Sequence, residues 1–255
     1  MNDDDRTPTS AYPSPDAAAS NSGATPPSTR ESRSPCLAPE VIRFCNAFPF
    51  TPMGASFDVQ ELIESYLPSR ERAYALANTY LDGAAWLFHA VSKIQLMDEM
   101  LPAIYARVEA RSLDPTKASQ LQAQHQDAYT GPHDLAVLLM VFSVGALVDL
   151  NQEPFNAEAE HYYNLAKAAI CLQSVLDKPE LATIQALHLM SIFNAMSQPD
   201  TNAEGSESET SMEMSWSLIR LCHQLAQTVS ITYCPGVCFV AHGTLADGVT
   251  CVLLV

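Results

Sequence analysis

Apolar positions recur at helical spacing from residue 58 to residue 229, and strand-like alternation is scarce before residue 231. Val59, Leu62, Ile63 and Tyr66 share one face and predict a short helix over 58–67, stopped by Pro68. A second helix over 70–81 presents Tyr74, Ala77 and Leu81. A turn around Gly83 is expected to lead into Trp86, Leu87 and Phe88, an aromatic cluster read as core. Ser92-Lys93-Ile94-Gln95 has the capping-box pattern, in which the serine hydroxyl accepts an orphan amide N–H and Gln95 reaches back. The helix it opens carries Leu96, Met100, Ile104 and Val108.

Residues 111–131 are polar and read as a surface insertion. Pro132 suits a first helical position, where its missing N–H costs nothing, and Asp134 falls in the first turn of a helix over 132–150. That helix, with Leu138, Phe142 and Leu147, is apolar nearly all round, which places it at the centre of the domain. Two further helices cover 157–176 and 180–197, joined across Pro179. A polar stretch over 198–209 precedes a last helix over 211–229. Beyond it the pattern changes: 237–240 and 249–255 read as extended segments punctuated by Gly236, Gly243 and Gly248. The expected fold class is all-α, an irregular multi-helix bundle with a disordered N-terminal tail and a non-helical C-terminal tail.

A chain of 255 residues, 47% hydrophobic, can bury a substantial core in one or two domains. The apolar content is uneven. Nine of the 17 prolines fall in residues 1–57 and the only aromatic before Phe44 is Tyr12, so this region cannot bury enough surface to offset its ordering entropy. Residues 1–40 are expected to be disordered and 1–56 to form a tail and linker. A net charge of −16 argues against nucleic acid, because binding DNA requires a basic face that neutralises phosphates. The basic spots, Arg30 with Arg33 and Arg70 with Arg72, read as solvated surface arginines. The acidic N-terminus has no apolar signal region, and the apolar run over 135–148 is too short to span a bilayer. No membrane association is expected, and in an intracellular protein the seven cysteines should stay reduced.

The chemistry-bearing residues are sparse. A binuclear zinc cluster needs six cysteines in two closely spaced halves. Cys36 and Cys45 stand alone, and Cys171 and Cys222 fall inside predicted helices. Cys234, Cys238, His242 and Cys251 offer four soft ligands within 18 residues, but the first spacing is longer than a zinc knuckle and Pro235-Gly236 suggests only a turn. Unliganded cysteines in an irregular tail are the favoured reading, so no metal site is assigned. His161 and His188 read as packed or surface imidazoles, and Glu158 and Glu160 as carboxylates that complement a helix N-terminus. There is no glycine-rich phosphate loop, nucleophile elbow or His-x-x-x-His pair. No catalytic residue is assigned and an enzyme is not expected.

Three segments in order carry a family likeness: residues 156–166 with Tyr162-Tyr163 and Ala166, residues 182–190 with Thr183-Ile184-Gln185-Ala186-Leu187-His188-Leu189-Met190, and residues 216–226 from Trp216 to Ala226. Together they resemble the fungal-specific transcription factor domain, the helical regulatory region that follows the binuclear zinc cluster in many fungal regulators. Trp86-Leu87-Phe88-His89 and His133-Asp134-Leu135-Ala136 are also similar to family segments, so the likeness covers about 69–231. The resemblance implies a nuclear regulatory domain that modulates transcription, sometimes by sensing a small molecule. Its partners would be the transcriptional machinery or co-regulators, with a homodimer left open. DNA would be reached only through a zinc-cluster module that this chain lacks, and zinc belongs to that module alone. No ligand-contacting residue carries over. The family's Gly-Leu-His-Arg-Asp-like continuation is replaced by Val229-Ser230-Ile231-Thr232, so residues 232–255 read as an aberrant or truncated end, expected to be exposed and aggregation-prone. With part of the domain missing, Trp216 and Leu225 are expected to be under-covered. The domain is accordingly placed at 57–231. A helical-repeat scaffold is the alternative, since Ala159, Tyr162, Tyr163, Ala166 and Ala169 echo a tetratricopeptide helix, although no second copy occurs at about 34 residues' distance.

Overall fold

The computed structural model describes residues 37–54, 56–111, 129–153, 156–197 and 207–233, and among them there are helices and connections but no strand. The all-α architecture is therefore as the periodicity indicates. The N-terminal tail, most of the polar insertion and the C-terminal tail, with Cys36, Cys234, Cys238, His242 and Cys251, lie outside the described residues.

The centre is a helix, here α6, over Pro132–Leu147. Every residue from Leu135 to Ala146 is buried, which is why its composition is apolar on all sides. The other elements are α1 (Pro39–Ala47), α2 (Ser56–Glu64), α3 (Arg70–Tyr80), the single turn α4 (Trp86–Phe88), α5 (Leu101–Arg111), α7 (Ala157–Ile170), α8 (Leu181–Met196) and α9 (Glu207–Tyr233). Helices α7, α8 and α3 pack directly on α6, α9 packs on α8, and α1 packs on α7. Ser143 is the only polar residue in the buried run from Leu135 to Ala146, and its hydroxyl is satisfied by donating to the Ala159 carbonyl of α7 at 2.8 Å.

The domain starts earlier than expected. Residues 39–47, read as linker, form α1, whose Val41, Phe44 and Cys45 are buried against α7. The Ala38 amide donates to Tyr66 Oη at 3.0 Å, tying this helix to the turn after α2. Proline-rich composition masked the segment: Pro39 sits at the first helical position, where it is tolerated, and an amphipathic nine-residue helix needs only three buried side chains.

The second correction concerns residues 80–101. The helix does not turn at Gly83. It widens into a π-helical segment over Leu81–Ala85, continues as α4, and stops at His89, which adopts the left-handed conformation at φ +49°. Gly83 serves packing instead: a Cβ there would lie 2.9 Å from Val148 Cγ2. Trp86 and Leu87, expected in the core, are 65% and 51% exposed. The stripe that faces the core carries Ala73, Leu76, Ala77, Tyr80 and Ala84, at ordinary helical spacing, rather than Tyr74, Ala77 and Leu81. A second π-helical segment, Ile94–Met100, precedes α5, and the Leu101 amide reaches back five residues to the Leu96 carbonyl. Pro102 follows at once. Its ring cannot fit against the carbonyl four residues earlier in a regular helix, and the wider turn relieves that clash. Ser92 does accept the Gln95 amide at 3.2 Å, but the Gln95 side chain turns away to pair with Gln185 of α8 at 3.0 Å, so only half of the capping box forms.

Trp86 and Trp216 are the only tryptophans, and both are substantially exposed, at 65% and 42%. Leu225, expected to be under-covered, is buried. Intrinsic fluorescence of the native chain should therefore already be quenched efficiently by acrylamide, a neutral quencher that the net charge of −16 does not repel, with little further gain on unfolding. Native quenching several-fold weaker than in denaturant would show that both indoles are shielded.

One buried ion cluster closes the α2–α5 side. Glu64 is 2% exposed, takes a 2.8 Å bond from Arg107 Nη2 and is also gripped by Arg111. Two cations on one carboxylate leave it no bare oxygen, the condition under which a buried charge is tolerated.

Candidate functional site

The junction of α6, α7 and α8 concentrates the polar side chains of the core. Asn156 caps α7: its Oδ1 accepts the Ala159 amide at 2.8 Å, while its Nδ2 donates to the Ala146 carbonyl at the end of α6, also at 2.8 Å. One side chain thus closes two helix ends and fixes the entry of α7. Three residues after Glu160, Tyr163 stacks on Phe193 of α8 with centroids 4.4 Å apart and planes 14° apart. The Tyr163 hydroxyl is spent on Asn194, donating to its Oδ1 at 3.1 Å and accepting from its Nδ2 at 2.9 Å.

These residues enclose a cleft of about 270 Å³, walled by Leu147, Tyr163 and Phe193, with Glu160, Asn164 and Ser197 around it. Asn164 Oδ1 accepts the Cys45 thiol at 3.6 Å, and the Ser197 hydroxyl donates to the Phe193 carbonyl at 2.6 Å. The Lys167 ammonium stands over the rings of Phe48 and Tyr163, at 6.0 and 5.7 Å from their centroids. Burial pushes the Cys45 thiol above its ordinary range, against a smaller opposite pull from Lys167. Cys171 and Cys222 are raised by burial to about 12. A thiol held protonated in this way is a packing group and not a nucleophile at neutral pH.

The other sequence-selected residues are placed apart from this cleft chemistry. His161 lies edge-on to Tyr66 and Tyr162, and burial lowers its pKa against the pull of Glu158. His188 is lowered by burial too, with the Phe88 backbone holding it partly up. Glu158 does more than complement a helix terminus. It receives two bonds from Arg72 of α3, at 3.0 and 2.5 Å, and a third from Gln152 at 2.9 Å. Burial pushes its carboxyl up, but these bonds outweigh it and hold the group below the usual range. Arg72, read as a free surface arginine, is thus a structural tie between α3 and α7, whereas Arg70 pairs with Glu109 at the surface. Among the described residues no group of three or more His, Cys, Asp or Glu could hold a metal ion, and no helix is long and apolar enough to cross a membrane. Comparisons of the chain with protein-family models, curated proteins and solved structures find no match.

The polar residue that sequence reasoning passed over is His133. It sits in the first turn of α6, 1% exposed, between the end of α7 and the start of α8. Its Nε2 faces the Ile170 and Gln173 carbonyls at 3.2 and 3.3 Å, so that nitrogen carries the hydrogen. Thr183 Oγ1 already accepts the Glu180 amide at 3.0 Å and is left to donate to His133 Nδ1 at 2.6 Å. The imidazole is neutral and every polar atom of the site is used. The signal was present: a histidine next to an N-terminal proline in a helix that must be buried needs partners on two sides.

Burial lowers the His133 pKa from its ordinary 6.5, with the two carbonyls and Glu180 pulling weakly the other way. The unfolded chain therefore binds the proton more readily than the folded one. Stability should be fully present above about pH 6.5 and fall as the pH drops below that value towards the depressed folded pKa. His161 and His188 contribute with the same sign, so the measurement is a difference. Melting temperatures between pH 8 and 5 should fall less steeply for His133→Gln than for the wild type. Parallel slopes would show that His133 is not the neutral, buried imidazole described.

Proposed function

We propose that this chain carries the regulatory domain of a fungal transcription factor, acting in the nucleus to modulate DNA-templated transcription without contacting DNA itself. The supporting observation is the packing of the three motif-bearing segments. They occupy three consecutive helices, α7, α8 and α9; Tyr162, Ala166, Thr183, Ala186, Leu187 and Leu189 of the first two segments are buried in one core with α6, and in the third Leu218, Cys222 and Leu225 are buried and Ala226 partly so, while Trp216 is 42% exposed. The net charge of −16 fits a module that works through protein contacts and leaves the phosphate backbone to another domain.

The helical-repeat alternative has less support. In a repeat array each unit contacts only its sequence neighbours. Here α1 packs on α7 and α3 on α6, and Arg72 pairs with Glu158 across 86 residues. The test is a fusion of residues 37–233 to a heterologous DNA-binding domain with a reporter gene bearing its site. Reporter output should change several-fold relative to the DNA-binding domain alone, and Phe142→Ala should abolish the change by unfolding the domain. The isolated chain should give no saturable mobility shift with competitor DNA present. Reporter output indistinguishable from the DNA-binding domain alone would overturn the proposal.

A further inference from the structure

We propose that Thr51 is a phosphorylation site for a proline-directed protein kinase, and that Arg43 captures the phosphate once it is in place. Nine of the 17 prolines lie in residues 1–57, and five of those nine follow a serine or threonine: Thr7-Pro8, Ser14-Pro15, Thr25-Pro26, Ser34-Pro35 and Thr51-Pro52. None of the eight later prolines does, so the pairing belongs to this region and is not a product of proline content alone. A proline after the acceptor biases that residue towards extended backbone and removes an amide donor, two features by which a kinase can select such a site.

Thr51 lies in the connection between α1 and α2, exposed and outside any helix, and its hydroxyl has no hydrogen bond among the described residues. The exposed hydroxyls of Ser65, Ser69 and Ser92, in contrast, are spent on helix ends. Phe50 and Met53 are 70% and 95% exposed, so the segment stands clear of the core on both sides of the acceptor. In the transfer, Thr51 Oγ1 attacks the γ-phosphorus of Mg-ATP as the bond to the β–γ bridging oxygen breaks. ADP leaves, and the hydroxyl proton passes to the kinase's catalytic carboxylate. The receiving cation is already placed. Arg43 of α1 donates from Nη2 to the Met53 carbonyl at 3.2 Å, and a side chain at Gly54 would collide with that nitrogen. The guanidinium therefore rests on backbone two residues beyond Thr51. Arg70, Arg72, Arg107 and Arg111 each pair with a carboxylate, but Arg43 has no acidic partner among the described residues. A phosphothreonine brings about −1.5 to −2 charge and three acceptor oxygens, which match the unused N–H donors of that fork.

Incubation of the full chain with a purified proline-directed kinase and Mg-ATP, followed by peptide mapping in a mass spectrometer, tests the site. Thr51 should be modified close to completion. Pro52→Ala should slow that modification about tenfold or more while leaving the four other dipeptides unaltered, and Thr51→Ser should retain it. No phosphate on Thr51, whether or not the other dipeptides are modified, would overturn the site, as would a Thr51 rate indifferent to Pro52→Ala. Capture is read by phosphorus NMR in a chain carrying Thr7→Ala, Ser14→Ala, Thr25→Ala and Ser34→Ala. A free phosphothreonine loses its second proton at about pH 6, and a neighbouring guanidinium favours the dianion, so the titration should move to lower pH. Arg43→Gln should return it to the position of a short unstructured phosphopeptide. Equal titrations with and without Arg43 would overturn the capture. Both measurements are made without DNA or a reporter, so their failure is distinguishable from failure of the transcriptional role.

Discussion

Replacing Phe142 with alanine should destabilise the domain by about 3–5 kcal/mol, the cost of lost burial plus the cavity left behind. Phe142 is fully buried in the middle of α6, and its ring meets Tyr162 of α7 edge-on at 5.7 Å. Because α6 is enclosed by α3, α7 and α8, its neighbours cannot all relax into the hole, which puts the expected value in the upper part of the range. A domain of this size has roughly 5–15 kcal/mol of total stability, so the variant would be close to unfolding at physiological temperature. Urea denaturation should show a lower midpoint with an unchanged slope. Leu150→Ala provides the contrast. The expected helix ran to Leu150, but α6 ends at Leu147 and the Leu150 side chain is fully exposed, so its loss should change stability by no more than about half a kcal/mol. Similar midpoints for the two variants would remove α6 from the centre of the fold.

The second large effect comes from Gly145→Ala. In an isolated helix this substitution stabilises by about 1 kcal/mol, because glycine loses the most backbone entropy on ordering. Here the sign should reverse. A Cβ at Gly145 would lie 2.4 Å from the Leu76 carbonyl oxygen and 3.1 Å from its carbon, atoms of the α3 backbone that no rotamer change can move. Helices α3 and α6 must separate, opening the contact formed by Leu76, Ala77 and Tyr80. A net loss of about 2–3 kcal/mol is expected from this overpacking. Gly83→Ala is the milder companion, since its Cβ would lie 2.9 Å from Val148 Cγ2 and 3.3 Å from Val148 Cβ, side-chain atoms near a helix end and not the backbone of a packed helix. Thermal melts of the two variants should order them with Gly145→Ala well below Gly83→Ala. A wild-type melting temperature for Gly145→Ala would mean that the two backbones are not in contact.

Both predictions mark the line between what the residues announce and what packing decides. The all-α class, the central position of α6, the proline at its first turn and the pair of helices joined across Pro179 were legible in the sequence, because each rests on local rules. A run of apolar residues with no polar side can only be enclosed, and a proline that cannot donate an amide bond finds its place at a helix start. Boundaries were less legible: α7 stops at Ile170, six residues before the periodicity does, because Cys171, Leu172 and Val175 are buried by tertiary contact in a turn and not by continuing the helix.

Three features were decided only by the assembled structure. Alanine-rich α3 offers two apolar stripes of similar strength, and packing against α6 puts Ala73, Leu76, Ala77 and Tyr80 inward, while Trp86, beyond the π-helical segment, is left exposed. Helix α1 becomes part of the domain because α7, more than a hundred residues later, presents the surface that covers Phe44 and Cys45. The cleft exists because Tyr163 and Phe193, thirty residues apart, stack beside Leu147 at the end of α6, and no local pattern encodes that meeting. Periodicity reports which residues avoid water, since that preference belongs to each side chain alone. Which surfaces meet, and where they leave a gap, depends on shape complementarity between distant segments, and that is settled only when the helices pack.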